Sequence, residues 1–177
     1  DRPYGGGPGM VMKPEPVFQA VEAVEAAAGI RPKKILLTPQ GRLFSQSIAG
    51  MLAAEPYLIL ICGHYEGFDE RIRTGLDVME ISIGDYILSG GEIPAMVVID
   101  AVVRLIPGVL GDVDSAKNES FFDGLLEHPQ YTRPAEFRGM RVPEVLMSGH
   151  HQKIKEWQKI QAIKKTAEER PDMVNKP

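Results

Sequence analysis

The chain lacks most features that mark a membrane, secreted or zinc-binding protein. It has one cysteine, Cys62, in 177 residues, which excludes an internal disulfide and a cysteine-rich zinc site. Its longest apolar run is YLILIC at 57–62, far short of the roughly 18 residues that a membrane-spanning helix needs. No basic stretch followed by an apolar segment and a cleavage site opens the chain. We therefore expect a cytoplasmic protein.

Charge is divided unevenly along the chain. Residues 1–130 carry 10 Lys and Arg against 18 Asp and Glu, and residues 131–177 carry 10 against 6, so net charges of −8 and +4 sum to −4. A basic C-terminal third on an acidic body indicates contact with a polyanion. A solvated helix face would carry the same charge, and composition does not decide between the two. The length and the 44% hydrophobic content predict one globular domain, or one domain with an appendage.

Strand and helix patterns alternate over the first two thirds of the chain. Short apolar runs bounded by turn residues predict strands, and apolar residues at helical spacing predict helices. In chain order these are a helix in PEPVFQAVEAVEAAAG, a strand at 33–37, a helix at 45–54, strands at 57–62 and 78–82, and a helix from Glu92 to Ile106. The run YLILIC is typical of a strand buried on both faces. The alternation predicts an α/β fold with a parallel sheet.

A glycine-containing loop follows each predicted strand: TPQG at 38–41, GHYEG at 63–67 and IGDYILSGG at 83–91. Ligands of open α/β sheets bind at the carboxyl ends of the strands, so we expect these loops to share one pocket. Neither GxGxxG nor GxxxxGK[ST] fits the third loop, and no Lys, Ser or Thr is placed to hold a polyphosphate. Glycines allow backbone groups to approach a flat ligand closely. The loops therefore favour a nucleoside over a nucleotide triphosphate.

The character of the chain changes after Ile106. The stretch PGVLGDVDSAKNESFFDGLLEHPQYTRP has no regular apolar period and is interpreted as a long, acidic linker. Beyond it, Ile154, Trp157, Ile160 and Ile163 stand at helical spacing among lysines, which predicts a basic amphipathic helix in a small second module. Trp157 is assigned to the core of that module and not to a base-stacking surface.

Six segments of the chain resemble, in order, the signature segments of one known family. They are DRPYGGGPGM, LTPQGRLFSQ, LILICGHYEGFDERI, SIGDYILSGGEIPAMVVIDAVVRLIPGVLG, SFFDGLLEHPQYTRP and VPEVLMSGHH. They resemble those of the bacterial tRNA (guanine-N1)-methyltransferases of the SPOUT class. The resemblance implies a parallel sheet with a deep trefoil knot, whose loops hold S-adenosylmethionine in a bent form, and a homodimer with an active site shared between the subunits. It also implies that the substrate is tRNA and that the target is the guanosine 3′-adjacent to the anticodon, preceded by another guanosine.

The same resemblance implies a division of the chain into three parts. Residues 1–110 form the knotted cofactor-binding domain, 111–130 a linker with the catalytic carboxylate, and 131–177 a basic helical tRNA-binding domain. The opening strand and helix of the family have no counterpart here, so we expect a further N-terminal part. The implied cofactor contacts are Pro39, Gly63, Tyr65, Glu66, Ile83, Gly84, Asp85, Tyr86, Ile87, Leu88, Gly90, Gly91 and, from the linker of the partner subunit, Glu127.

Methyl transfer to N1 of guanine needs a base and a cation. N1 carries a proton that must be removed, and negative charge develops on O6. The resemblance assigns Glu119 as the base and Arg104 as the group that stabilises O6; Asp123 is the second choice for the base. Without the resemblance, Glu119 would be interpreted as a solvated linker carboxylate and Arg104 as an arginine at a helix end. The family usually has Asp where this chain has Glu119, and many relatives have Arg where it has His64.

Other candidate residues are given simpler roles. Cys62 is interpreted as a buried strand thiol. His150 and His151 are adjacent, so they cannot both face one metal from a single helix face, and a helix start or a phosphate contact is favoured. We predict no metal site, although the family allows for Mg²⁺. RNA binding is assigned to the basic module and to four arginines, Arg2, Arg133, Arg138 and Arg141.

Two other functions remain open from the sequence. One is a non-catalytic module that binds S-adenosylmethionine and RNA, for which Glu119 in place of Asp is the support. The other is a SPOUT enzyme that methylates a ribose 2′-oxygen, against which the linker carboxylate and the segment LLEHPQYTRP argue.

Overall fold

A computed structural model describes residues 1–109, 120–121 and 123–174 of the chain. These residues belong to two compact units, Asp1–Gly111 and Asp112–Pro177. No helix in the described ranges is long and apolar enough to cross a lipid bilayer.

The first unit alternates helices and strands around a parallel sheet. Its elements are α1 (Pro14–Ala28), β1 (Lys33–Leu43), α2 (Gln46–Ala53), β2 (Leu58–Ile61), α3 (Glu70–Gly75), β3 (Met79–Ser82) and α4 (Glu92–Val103). The strands lie in the order β2-β1-β3, and both pairings are parallel. The predicted α/β fold with a parallel sheet is confirmed.

Side chains of β1 form the core on both faces of the sheet. Successive side chains of a strand point to opposite faces. Ile35 and Leu37 accordingly pack with α2 and α4, whereas Leu36 packs with α1 and α3. All three are at most 5% exposed, and burying such a side chain contributes roughly 1.5–3 kcal/mol relative to leaving it in water. The central strand is therefore covered by a layer of helices on each side.

The prediction for YLILIC was wrong in its degree of burial. Of the strand β2 only Ile61 is buried, and Leu58, Ile59 and Leu60 are half-buried. The reason is position: β2 pairs with β1 along one edge, and the described part of the chain places no strand along its other edge. The strand buried on both faces is β1, whose first half was predicted from KKILL.

The loop TPQG was placed correctly but belongs to a longer strand than predicted. β1 continues to Leu43, with a break in its pairing: Leu37 and Arg42 are both registered with Ile81 of β3. Residues 38–41, which lie between Leu37 and Arg42, are not paired with β3. After them the strand pairs again with the same residue, Ile81. Gly41 is required there, because a Cβ atom would overlap the backbone of Ile81. These four residues are called the β1 loop below.

Two helix boundaries also differ from the prediction. α4 ends at Val103 and not at Ile106, and Arg104 is its C-cap. The short helix α3 was not predicted; it is started by Asp69, whose Oδ1 accepts a hydrogen bond from the backbone N–H of Arg71 at 2.9 Å. Side-chain and backbone hydrogen bonds from Arg71 lower the pKa of Asp69 to about 2. This cap explains how six residues without a long apolar stripe form a helix.

The second unit contains short elements around one longer helix. They are an antiparallel hairpin of β4 (Glu136–Phe137) and β5 (Met140–Arg141), then α5 (Glu144–Met147), α6 (His151–Glu169) and α7 (Pro171–Val174). The hairpin turns at Arg138 and Gly139, both with positive φ, as a two-residue turn of this kind requires. Thr166 is fully buried; its hydroxyl donates to the carbonyl of Ala162 and accepts the N–H of Leu126.

The basic helix was predicted correctly, but its apolar stripe was not. Ile154 and Trp157 are half-buried, whereas Ile160 and Ile163 are exposed. A helix has about 3.6 residues per turn, so two side chains nine residues apart are separated by about two and a half turns. Ile154 and Ile163 consequently lie on opposite faces of α6. Trp157 contacts the rings of His128 and Tyr131, with centroids 6.4 and 6.3 Å away.

Candidate functional site

A cavity of about 330 Å³ lies at the carboxyl ends of β2 and β3 and at the break in β1 after Leu37. Its walls come from the β1 loop, from the loop after β2 (63–67, the β2 loop) and from the loop after β3 (83–91, the β3 loop). The three loops predicted to share one pocket are thus brought together. All but two of the predicted cofactor contacts line this cavity: Pro39, Gly63, Tyr65, Glu66, Ile83, Gly84, Tyr86, Ile87, Leu88, Gly90 and Gly91.

The two exceptions have separate positions. Asp85 is an exposed residue of the β3 loop and does not line the cavity. Glu127 belongs to the second unit, where its backbone N–H donates to the Ser120 hydroxyl at 2.9 Å and its carboxylate accepts from Gln130.

Several lining residues were not predicted as contacts. Among them are Thr38, His64, Phe68, Ser82, Ser89 and Pro94. The hydroxyl residues Thr38, Ser82 and Ser89 lie within three residues of a loop glycine, which is the signal from which they could have been found. His64 was noted only as a departure from the family pattern.

The β2 loop is held against a segment near the start of the chain. The backbone N–H of Glu66 donates to the carbonyl of Met10, and Met12 exchanges backbone hydrogen bonds with Gly67 and Asp69, at 2.9–3.0 Å. Tyr65 adopts a positive φ of 63°, which is rare for a residue other than glycine. The loop is therefore held in a definite shape by its own neighbours, with Tyr65 exposed at the cavity.

The β3 loop begins with a hydrogen-bonded turn. The Ser82 hydroxyl accepts the N–H of Gly84 and donates to its carbonyl, and the Tyr86 hydroxyl donates to the carbonyl of Ile83. Gly84 has a φ of 151°, a conformation that side chains rarely allow. Tyr86 and Ile87 are left largely exposed. The loop thus presents apolar side chains and glycine backbone to the cavity.

The end of the β3 loop lies directly on the β2 loop. The backbone N–H of Gly91 donates to the carbonyl of Gly63 at 2.8 Å. A Cβ atom on Gly91 would lie 2.7 Å from the Cα of Cys62 and 2.9 Å from the N of Gly63. Real Cβ atoms do not approach backbone this closely, so the position requires glycine.

His64, which lines the cavity, contacts Glu92 in the first turn of α4. The His64 Nε2 and Glu92 Oε1 atoms are 2.6 Å apart. A hydrogen bond from its own backbone N–H and a second from His64 lower the pKa of Glu92. Burial and the nearby Glu92 charge raise the pKa of the Cys62 thiol. Cys62 is therefore kept protonated and is a poor nucleophile. It is half-buried and follows β2, so the prediction of a buried thiol within the strand was wrong in its burial and its position.

The predicted catalytic groups are placed only in part. Glu119 lies outside the described residues. Arg104 is half-buried at the C-terminal end of α4, and its backbone N–H donates to the carbonyl of Asp100. Asp123, the second choice for the base, is exposed.

The arginines and lysines assigned to RNA are exposed at the surface. They are Arg2, Arg133, Arg138, Arg141, Lys153, Lys155, Lys159, Lys164 and Lys165. Arg141 forms an ion pair with Glu136, and Arg138 stacks over the ring of Phe137. Within the described ranges, no cluster of three or more His, Cys, Asp and Glu side chains could hold a metal ion.

Comparison with known proteins gives consistent matches over the whole chain. The family model described as tRNA (Guanine-1)-methyltransferase TrmD matches residues 1–176. A tRNA (guanine-N(1)-)-methyltransferase of Moorella thermoacetica is 58% identical over 175 residues, which is 98% of this chain and 70% of the relative. Proteins of the same name from Bacillus licheniformis and Dehalococcoides mccartyi are 57% and 58% identical over 98% and 99% of this chain, and over 72% and 71% of their own lengths.

Proposed function

The chain belongs to the tRNA (guanine-1)-methyltransferase family, and on that premise we propose that it is a tRNA (guanine-N1)-methyltransferase. It transfers a methyl group from S-adenosylmethionine to N1 of the guanosine that is 3′-adjacent to the anticodon. The observation that carries this proposal is the gathering of the family's cofactor residues around one cavity at the carboxyl ends of the strands. A tRNA substrate implies a cytoplasmic enzyme.

The cavity suits S-adenosylmethionine in its size and lining. Its walls combine glycine backbone with apolar side chains such as Leu37, Ile83 and Leu88, and about 330 Å³ is within the ordinary range for small ligands. Among the residues that the structure describes, no Lys or Arg side chain lines it, as fits a nucleoside without phosphates. Exposed Tyr65 and Tyr86 offer flat surfaces to an adenine ring. Bound there, the cofactor supplies a methyl group on a sulfonium centre.

Residues of this chain then have to activate the guanine. We assign Glu119 to accept the N1 proton and Arg104 to stabilise the charge that develops on O6. The loops around the cavity align N1 with the methyl group and the sulfur, and alignment of this kind removes much of the barrier. Glu127 is assigned to the methionine amino group.

The knot implied by the family is also part of the proposal. Its support is the course of β1, which leaves β3 after Leu37 and returns to the same residue, Ile81, at Arg42. The end of the β3 loop then returns to Gly63, beside the opposite edge of β1. These two returns of the chain to partners on either side of β1 fit a threaded arrangement.

We further propose that the protein is a homodimer, because α4 carries apolar residues on both of its faces. Ala95, Val98 and Val102 are buried against the sheet. The opposite face exposes Ile93, Met96, Val97, Ile99 and Val103. Exposed apolar patches of this kind mark interfaces, and a second copy of the chain fits because the family shares its active site between subunits.

Met96→Glu is expected to weaken self-association about tenfold or more, because it places an unpaired charge in an apolar interface. Met96 is 68% exposed in the single chain, so the folded monomer tolerates the change. Sedimentation equilibrium measures the dissociation constant. Val24→Glu on α1, also exposed and on the other side of the sheet, is the matched control. A parent protein that is monomeric at micromolar concentration would refute the dimer.

tRNA is proposed to contact the basic surface of the second unit. Arg133, Arg138 and the lysines of α6 are exposed, and most affinity for RNA comes from phosphates. Binding should therefore weaken steeply with salt. The target guanine must leave its stack to reach the cavity.

Methyl transfer from labelled S-adenosylmethionine to an unmodified tRNA tests the function. The tRNA carries guanosine at the target position and at the position before it, and a control tRNA carries adenosine at the target. We expect label in 1-methylguanosine from the first tRNA and none from the second. Label on a ribose 2′-oxygen would show a different transferase. Binding of cofactor and tRNA without transfer would show a non-catalytic module.

A further inference from the structure

We propose that His64 and Glu92 form a pair that positions the end of the β3 loop for cofactor binding. This His64–Glu92 pair joins the β2 loop to the first turn of α4 across the rim of the cavity. The proposal deepens the function proposed above, because the ligand it concerns is S-adenosylmethionine. Both residues are positioning residues and not catalytic ones.

The pair reinforces a backbone contact between the two loops. His64 and Gly90 form an isolated antiparallel bridge, and the next residue, Gly91, donates its N–H to Gly63 at 2.8 Å. The side-chain contact of 2.6 Å lies beside this bridge. The two glycines can contribute only backbone contacts, so the side-chain pair adds an attachment that the backbone alone does not provide.

Gly90 lies between the two side chains of the pair. A Cβ atom on Gly90 would be 2.5 Å from Glu92 Oε2 and 2.7 Å from His64 Cε1. The imidazole and the carboxylate therefore pack against the Cα of Gly90 itself. Displacement of either side chain opens space beside the glycine, and the loop end is then free to move away from the cavity.

His64 and Glu92 each have a further interaction that fixes their position. The backbone N–H of His64 donates to the Met12 sulfur at 3.4 Å, which ties it to the segment that shapes the β2 loop. Glu92 stands in the first turn of α4, where the exposed N–H groups and the helix dipole favour a carboxylate. Hydrogen bonds from its own N–H and from His64 lower its pKa, so at neutral pH the imidazole always faces an anion.

His64→Ala and Glu92→Gln are expected to raise the dissociation constant for S-adenosylmethionine about threefold to fivefold each. This range corresponds to the loss of one half-exposed side-chain hydrogen bond. The KM for the cofactor should rise by the same factor, while kcat and the KM for tRNA stay within about twofold. The double variant should lose no more than either single variant, because the two side chains act as one unit. Titration calorimetry and steady-state kinetics measure these quantities.

Two further variants separate positioning from general effects. Glu70→Gln removes the same charge from the first turn of α3, where Glu70 pairs with Arg73, and should leave cofactor affinity unchanged. His64→Gln keeps an N–H donor of similar reach and should restore most of the affinity that His64→Ala loses. Circular dichroism checks that each variant is folded.

The outcomes distinguish this inference from the function it rests on. If the parent binds S-adenosylmethionine and all the variants bind it equally well, the pair has no positioning role. Additive losses in the double variant would also overturn it, since they show independent contributions. If the parent does not bind S-adenosylmethionine, the proposed function itself fails.

Discussion

Glu119→Gln is expected to lower the rate constant of methyl transfer by about 10²- to 10⁴-fold, the usual contribution of a positioned general base. Glutamine keeps the size of the side chain but cannot accept the N1 proton. Cofactor affinity should change little, because the resemblance places this residue at the guanine and not at the methionine. Single-turnover transfer measures the rate constant, and calorimetry measures cofactor binding.

Asp123→Asn is the matched control for the base assignment. Asp123 is an exposed carboxylate of the linker, four residues after Glu119, and is the second choice for the base. Comparing the two variants therefore decides between the two assignments. If Asp123→Asn loses the rate and Glu119→Gln does not, the base has been assigned to the wrong residue. If neither loses it, the base is neither of these two carboxylates.

Gly91→Ala is expected to lower the methyl-transfer rate about a hundredfold and the free energy of unfolding by about 1–3 kcal/mol. The backbone of Gly91 has φ −82°, which alanine adopts easily, so the effect is purely one of space. The added methyl group would lie 2.7 Å from the Cα of Cys62. Backbone at the end of β2 cannot rotate away as a side chain can. The β3 loop must therefore lift from Gly63, and the cavity widens where the cofactor binds.

Gly50→Ala is the control for this glycine. Gly50 lies in α2, and no atom would come within 4 Å of a Cβ there. Replacing glycine by alanine inside a helix adds up to about 1 kcal/mol of stability. The two substitutions are chemically identical and are expected to have opposite signs in thermal and urea unfolding. Equal effects would contradict the close approach seen at Gly91.

The sequence predicts the alternation of the first unit well because its apolar runs are short and clearly bounded. KKILL and VMEIS became strands, and PEPVFQAVEAVEAAAG became α1 within one residue. The sequence did not predict which strand lies at the centre of the sheet and which lies at an edge. YLILIC is more apolar than KKILL, yet β1 is central and β2 is at an edge. Position in a sheet depends on which strands pair, and apolar content alone does not encode this.

The second unit shows a different limit. Its hairpin pairs only two residues on each strand, too few for an alternation to be recognised. On α6 the three-residue spacing of isoleucines suggested a stripe that the helix geometry spreads over two faces. The buried residue there is Thr166, whose hydroxyl satisfies its hydrogen bonds locally. A polar residue in that role has no signal in a hydrophobic pattern.

For the site, the strand ends predicted where a ligand binds, and the resemblance predicted which residues are near it. Loops after parallel strands must meet at one edge of the sheet, so TPQG, GHYEG and IGDYILSGG could be grouped without a structure. The contact of His64 with Glu92 could not be predicted, because 28 residues separate them. Their contact follows only from the return of the β3 loop to Gly63.

The β1 loop loses its conformational entropy when the protein folds, before any ligand binds. Both of its ends are registered with one residue, Ile81, so closure of this short loop is completed when the sheet forms. The conformational entropy of the β1 loop, which forms one wall of the cavity, is therefore lost during folding and not during ligand binding. A ligand that enters the cavity therefore finds the Pro39 side already in place. Whatever rearrangement accompanies binding is left to the other walls of the cavity.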